Sequence, residues 1–199
     1  MITKEKTSEL IKRAYGIAKS HGFHEKELSV EHMMMLVIGE VGEAVEADRR
    51  GKRADLTIAD ANVQAYDQWF KFAVKDTVDD ELADVAIRLY DVCGTLGVEP
   101  ELIAESEEAS ATMAKAFVDS FFDRSFVERC HALCYILTMA TNESRKEYDG
   151  SSSCLPNVIG SALCLLDFIA KDKGVNLLKQ VELKMKYNQS RPPKHGKRY

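Results

Sequence analysis

The chain has 199 residues, 45% of them apolar and 30% charged, a composition that supports one good globular core, as a single domain or two small fused units. No apolar run is long enough to span a membrane, and the N-terminal Met1-Ile2-Thr3-Lys4-Glu5-Lys6 lacks the apolar core of a signal peptide, so a cytoplasmic location without membrane partners is expected. The net charge of −5 hides an asymmetry: the last sixteen residues carry six Lys/Arg and no acid, leaving 21 of the 27 basic residues against 32 acidic ones in the rest. A body of charge −11 repels nucleic acid beyond the reach of so short a basic ending, and no nucleic-acid partner is expected.

The first helix is expected at about 6–20, with Leu10, Ile11, Tyr15 and Ile17-Ala18 along one side and His21-Gly22 as its stop. Ser29 reads as the N-cap of a second helix, with Glu31 in its first turn. Met33, Met34, Val37, Ile38, Val41 and Val45 then fall on one arc of the wheel. Glu40 and Glu43 lie along one edge of that arc, beside the core. Gly51 after Arg49-Arg50 ends the helix. Residues 52–76 read as a short helix and loop, with turn signals at Asp55, Asp60 and Asn62 and aromatic bulk from Tyr66, Trp69, Phe70 and Phe72. Core packing is the expected role of these rings, with stacking on a base the alternative for Tyr66, Trp69 and Phe72.

Thr77-Val78-Asp79-Asp80 has the form of a capping box and starts the next helix. Leu82, Val85, Leu89, Val92 and Leu96 make its core stripe, and Glu81, Asp84, Arg88 and Asp91 share an adjoining face. Arg88 and Asp91 are placed either to support the acids or to pair with each other at i, i+3. Pro100 suits the first turn of a fourth helix, about 100–121. A fifth follows at about 125–146, a loop at 150–153, a sixth opened by Pro156 and closed by Gly174, and a seventh at about 176–190, which Arg191-Pro192-Pro193 must end. No segment alternates as a strand does. The expected fold is all-α, a bundle of about six to seven helices around a four-helix core. The five cysteines, odd in number and without a C-x-x-C pair, read as core fillers.

Two helices thus each carry a pair of acids three residues apart, Glu40 with Glu43 and Glu81 with Asp84. At i, i+3 the members of each pair project together. If the helices pack antiparallel, four carboxyls meet, an arrangement tolerable only when solvated, partly protonated or neutralised by metal. Hard oxygen donors of this kind suit Mg²⁺, which shares a few carboxylates with a substrate's phosphates. In the last helix Lys184, Asn188 and Arg191 recur at i, i+4 and i+7, two cations and an amide on one face.

A weak internal repeat is also legible. Aligned by it, Glu40 and Glu43 fall opposite Leu137 and Ala140, and Glu81 and Asp84 opposite Val158 and Ser161. Residues 1–98 then form an acidic metal-binding unit, and 99–199 a degenerate second unit with a basic ending.

Three segments carry a family resemblance: Gly39-Glu40-Val41-Gly42-Glu43-Ala44, Glu81-Leu82-Ala83-Asp84-Val85-Ala86-Ile87-Arg88, and Lys184-Met185-Lys186-Tyr187-Asn188-Gln189-Ser190-Arg191-Pro192-Pro193-Lys194-His195-Gly196-Lys197. In this order they resemble the MazG-like all-α nucleoside triphosphate pyrophosphohydrolases, a group that takes in the dimeric dUTPases and dCTP pyrophosphatases. Two departures stand out: about 75 residues separate the second acidic helix from the basic ending, and the loop between Glu43 and Glu81 is long. Both fit a fused pseudo-dimer with one active site per chain, either monomeric or a homodimer.

The resemblance implies cleavage of a nucleoside triphosphate between its α and β phosphates to a monophosphate and pyrophosphate. It makes Glu40, Glu43, Glu81 and Asp84 the catalytic and metal-binding residues, with Mg²⁺ the metal and Mn²⁺ a substitute. Lys184, Asn188 and Arg191 become substrate-binding residues, the arginine suited to bidentate phosphate contact. Against the enzyme stands a non-catalytic nucleotide-binding or structural bundle. A di-iron bundle is a poorer rival, since only Glu128-x-x-His131 has the required E-x-x-H form.

Overall fold

A computed structural model describes residues 3–57, 65–105, 124–149 and 154–196, and among them the chain is all-helical. The helices are α1 (Lys4–Ser20), α2 (Val30–Arg49), α3 (Tyr66–Ala73), α4 (Val78–Leu96), α5 (100–105), α6 (Phe126–Asp149), α7 (Leu155–Asp172) and α8 (Leu177–Gln189), with a closing 3₁₀ turn at Pro193–Gly196. The expected fourth helix beyond 105, the loop at 150–153 and the turn signals Asp60 and Asn62 lie outside the described residues.

Local chemistry accounts for where the helices begin. Ser29 Oγ accepts the His32 N–H at 3.2 Å and Thr77 Oγ the Asp80 N–H at 3.3 Å, each answering a donor the first turn cannot pair. Asp80 departs from the expected capping box. Its carboxylate reaches past Thr77 to the N–H of Asp76 at 3.1 Å, which holds Asp76 at φ 60°, a conformation that aspartate tolerates better than most residues. At the other end of α4, Gly97 adopts φ 66° and closes the helix with its N–H on the Cys93 carbonyl.

Helix α4 organises the molecule, with Val78, Leu82, Ala83, Val85, Ala86, Leu89, Val92 and Cys93 all buried. On one side α2, α4, α7 and α6 close a ring, each packing on the next, which is the four-helix core. On the other side α1 and α8 lie against α4 and touch each other. One continuous apolar cluster runs from Leu10 and Val37 through Leu89 to Leu137, Leu166 and Met185, so both halves of the chain share a single core. Leu137 and Ala140, opposite the first acid pair in the repeat, are buried in it. No described helix is long and apolar enough to cross a membrane.

A second, smaller apolar cluster fastens α3 to α8. Phe70 is fully buried and stacks on Tyr187, ring centroids 4.4 Å apart and nearly parallel, while Tyr66 donates its hydroxyl to the Leu183 carbonyl at 2.6 Å. Burying a ring of this size contributes about 1.5–3 kcal/mol. Trp69 packs beside Tyr66 at the edge of this cluster, whereas Phe72 is exposed to solvent. The loop at 51–57 is tied to the start of α4, since Asp79 accepts from Arg53 Nε at 2.8 Å and from the Ala54 N–H at 3.2 Å.

Candidate metal and substrate site

Three of the four acids meet where α2 crosses α4. One carboxylate oxygen from each of Glu40, Glu43 and Glu81 lies within 4.8 Å of the others. Their surroundings differ: Glu43 is exposed, while Glu40 and Glu81 are each only 4% exposed. Glu40 sits on the inner edge of the arc and is held by Arg88, whose Nε donates to Oε1 at 2.5 Å. Arg88 therefore reaches across to α2 and does not pair with Asp91. Asp91 instead accepts from His24 Nε2 at 2.8 Å.

Glu81 is the exceptional member. Its buried carboxyl makes no hydrogen bond or ion pair with the described residues. Burial above all, then the nearby Asp84, Asp80 and Glu40 carboxylates against the opposing pull of Lys184, pushes it up to about 9. An acid in this position is a proton carrier near neutral pH unless a stronger positive charge takes the proton's place.

The structure does not bring Asp84 into that trio. Its carboxylate is bound by Lys184 Nζ at 2.7 Å, and the same ammonium lies 2.8 Å from both oxygens of Asp80. Lys184 and Asp80 are almost wholly buried. Burial disfavours the lysine's charge, but Asp84 and Asp80 outweigh it and hold the ammonium above the ordinary lysine range. Burial likewise pushes Asp80 upward, with Lys184 pulling against it. The ring of Phe70 lies 5.6 Å under the ammonium and screens it from water. Lys184 was expected on a substrate-facing surface; its hydrogen bonds instead go to two carboxylates.

The rest of the expected basic face divides as well. Asn188, one turn beyond Lys184, is buried with its amide oxygen unpaired among the described residues. Arg191 lies past the end of α8, because the helix closes at Ser190, so the i, i+7 relation fails. Its guanidinium lies over the Tyr187 ring at 5.6 Å, and its carbonyl accepts from His21 Nε2 at 2.9 Å. The Lys194 N–H donates to the His21 carbonyl and its ammonium pairs with Glu25 at 2.7 Å. The basic ending is thereby folded back against the turn after α1.

A cavity of about 110 Å³ opens between α1, α2, α4 and α8. Glu40, Asp84, Arg88, Asn188 and Arg191 are among the residues of its wall, with Ala14, Ile17, Leu28, Met33, Leu36 and Ile87. That volume is on the scale of one flat ring, since a cavity of about 150 Å³ is known to take benzene. The cavity is somewhat smaller than that one, and of the two acid pairs Glu40 and Asp84 are the members that border it.

The donor set suits a hard divalent cation. Three carboxyls supply oxygen alone, and no described histidine or cysteine joins either acid cluster. Five acids (Glu40, Glu43, Asp80, Glu81 and Asp84) face two cations, Lys184 and Arg88, a deficit that an ion beside Glu81 would relieve. A second trio, Asp76, Asp80 and Glu81, shares Glu81, but there Asp80 is already engaged by Lys184. Comparison of the chain with protein-family models, with curated proteins and with solved structures gives no match.

Proposed function

We propose that the chain is a metal-dependent nucleoside triphosphate pyrophosphohydrolase of the MazG-like kind, acting in the cytoplasm on free nucleotides. Water adds to the α-phosphorus, the bond from that phosphorus to the α–β bridging oxygen breaks, and pyrophosphate leaves with the electron pair. The observation that carries this reading is Glu81, a buried carboxyl that has no hydrogen bond or ion pair among the described residues and faces Glu40 and Glu43. Burying such a group is unfavourable unless something positive is to meet it.

Glu40, Glu43 and Glu81 would hold Mg²⁺, with Mn²⁺ as a substitute. When bound, such an ion polarises phosphoryl oxygens and makes water a better nucleophile near neutral pH. The chain's own residues do the rest. Arg88 fixes Glu40, and Lys184, itself fixed by Asp80, fixes Asp84 at the cavity wall. Glu43 and Glu81, neither in an ion pair among the described residues, are the candidates to take the water's proton. Asn188 offers a buried acceptor for a substrate hydroxyl, and Arg191 a guanidinium for phosphate. Lys184 acts here as a positioning residue for Asp84 and not as a direct phosphate contact.

Hydrolysis in ¹⁸O-labelled water tests the position of attack. The label is expected in the monophosphate. Label in inorganic phosphate or pyrophosphate would place the attack on another phosphorus and remove this assignment.

A further inference from the structure

The cavity has a second polar group that the reaction does not use. Asp91 lies seven residues after Asp84 on α4, hence on the same face and about 10 Å further along the axis. There it accepts from His24 Nε2 at 2.8 Å, and both residues line the cavity. On the facing helix the matching positions run back from Glu40 to Leu36 and Met33. The slot therefore runs from the Glu40 and Asp84 carboxylates at one end, past Arg88 and an otherwise apolar wall, to a histidine–aspartate pair at the other.

His24 is held in place from behind. Its ring packs on Tyr15, centroids 4.9 Å apart, and Tyr15 lies so close to α4 that a Cβ on Gly94 would meet its own Cβ at 2.6 Å. A glycine one turn after Asp91 lets the tyrosine back the imidazole. Because Nε2 donates to Asp91, the lone pair of the neutral ring stays on Nδ1, and Nδ1 makes no hydrogen bond with the described residues.

We infer that the His24–Asp91 pair selects the substrate's heterocycle, His24 Nδ1 accepting an N–H from the edge of a base whose phosphates lie at the carboxylate end. This rests on the reading of the cavity as a nucleotide site. The ligand class is a flat ring bearing an N–H on its edge: an exocyclic amino group or a ring imide.

The test compares, by calorimetry without metal, the dissociation constants of CMP, AMP and UMP with those of their N4,N4-dimethyl, N6,N6-dimethyl and N3-methyl counterparts. The best-bound parent is expected to lose roughly tenfold to a hundredfold on methylation, the scale of a lost hydrogen bond that strands a buried acceptor. In His24→Phe, which keeps a flat ring without the lone pair, that difference should shrink to less than about threefold. Asp91→Leu should lose it too, whereas Asp91→Asn, whose amide oxygen can still accept from Nε2, should keep it. A methylation penalty of equal size in wild type and His24→Phe would show a steric wall and overturn the inference, as would the absence of any nucleotide binding. Measurable binding with the expected ratios but no pyrophosphate release would overturn the catalytic reading alone. Thermal melts of each variant separate loss of discrimination from loss of fold.

Discussion

Replacing Lys184 by methionine isolates what the buried ammonium does. The methionine keeps most of the side chain's length against Phe70 and removes one charge, leaving Asp80 enclosed with no cation on either oxygen. Breaking a buried pair from one side typically costs about 3–5 kcal/mol, because the remaining charge is uncompensated. In a chain of this size each kcal/mol moves the melting temperature by roughly 2–4 °C, so a fall on the order of 10 °C is expected. The second arm is Asp80→Asn in the Lys184→Met background. With both charges gone, stability should return to within about 1–2 kcal/mol of wild type, a coupling of at least about 2 kcal/mol in the double-mutant cycle. Urea unfolding followed by circular dichroism reads both, and the m-values should agree among the four proteins. Activity should not return with stability, since Asp84 has lost the group that orients it. A single variant that loses less than about 1 kcal/mol, below what breaking a buried pair requires, would refute the pairing. Full turnover in the stable double variant would refute the positioning role.

Glu81 makes the metal-free protein sensitive to alkali. Its carboxyl titrates near 9 in the fold against 4.5 unfolded, so the native state holds the extra proton between those values and stability falls as pH rises through that window. Over three pH units the loss has an upper bound of about 4 kcal/mol; melting in EDTA from pH 5 to 8 should show a decline that Mg²⁺ reverses and Glu81→Gln flattens. Equal slopes in the variant and wild type would assign the decline to other groups. Gly94→Ala should destabilise by about 1–3 kcal/mol through overpacking against Tyr15, although alanine is the better helix former. Gly42→Ala, where the added carbon meets nothing within 4 Å beyond its own stretch of helix, should instead stabilise by up to about 1 kcal/mol; thermal melts that ranked the two alike would contradict the close approach.

What the sequence made legible was mostly local. The caps at Ser29 and Thr77 show because a cap and its partner are three residues apart, and the helices show because their apolar residues recur at helical spacing. The acid pairs are visible for the same reason. The burial that separates Glu40 from Glu43 is not, since both lie on one edge of the arc and only the packing of α2 against α4 decides which is covered.

The pairings within the site span 48 residues for Arg88 and Glu40, 67 for His24 and Asp91, and 104 for Lys184 and Asp80. No periodicity reports contacts of that separation. Asp80 in particular was hidden by its place in a capping pattern, which explained its identity without requiring a lysine. The break at Ser190 took Arg191 off its expected face, although Pro192-Pro193 signalled that the helix had to end nearby.

The reaction itself is tested most directly by pyrophosphate release from a panel of ribo- and deoxyribonucleoside triphosphates, in Mg²⁺ and in EDTA, for wild type and Glu81→Gln. Release that needs Mg²⁺, that falls by at least about a hundredfold in the variant, as when a key transition-state contact is removed, and that occurs while the variant melts cooperatively is the expected result. No release from any triphosphate, or equal release by wild type and variant, would contradict the assignment and leave the carboxyl cluster as part of a nucleotide-binding or structural bundle.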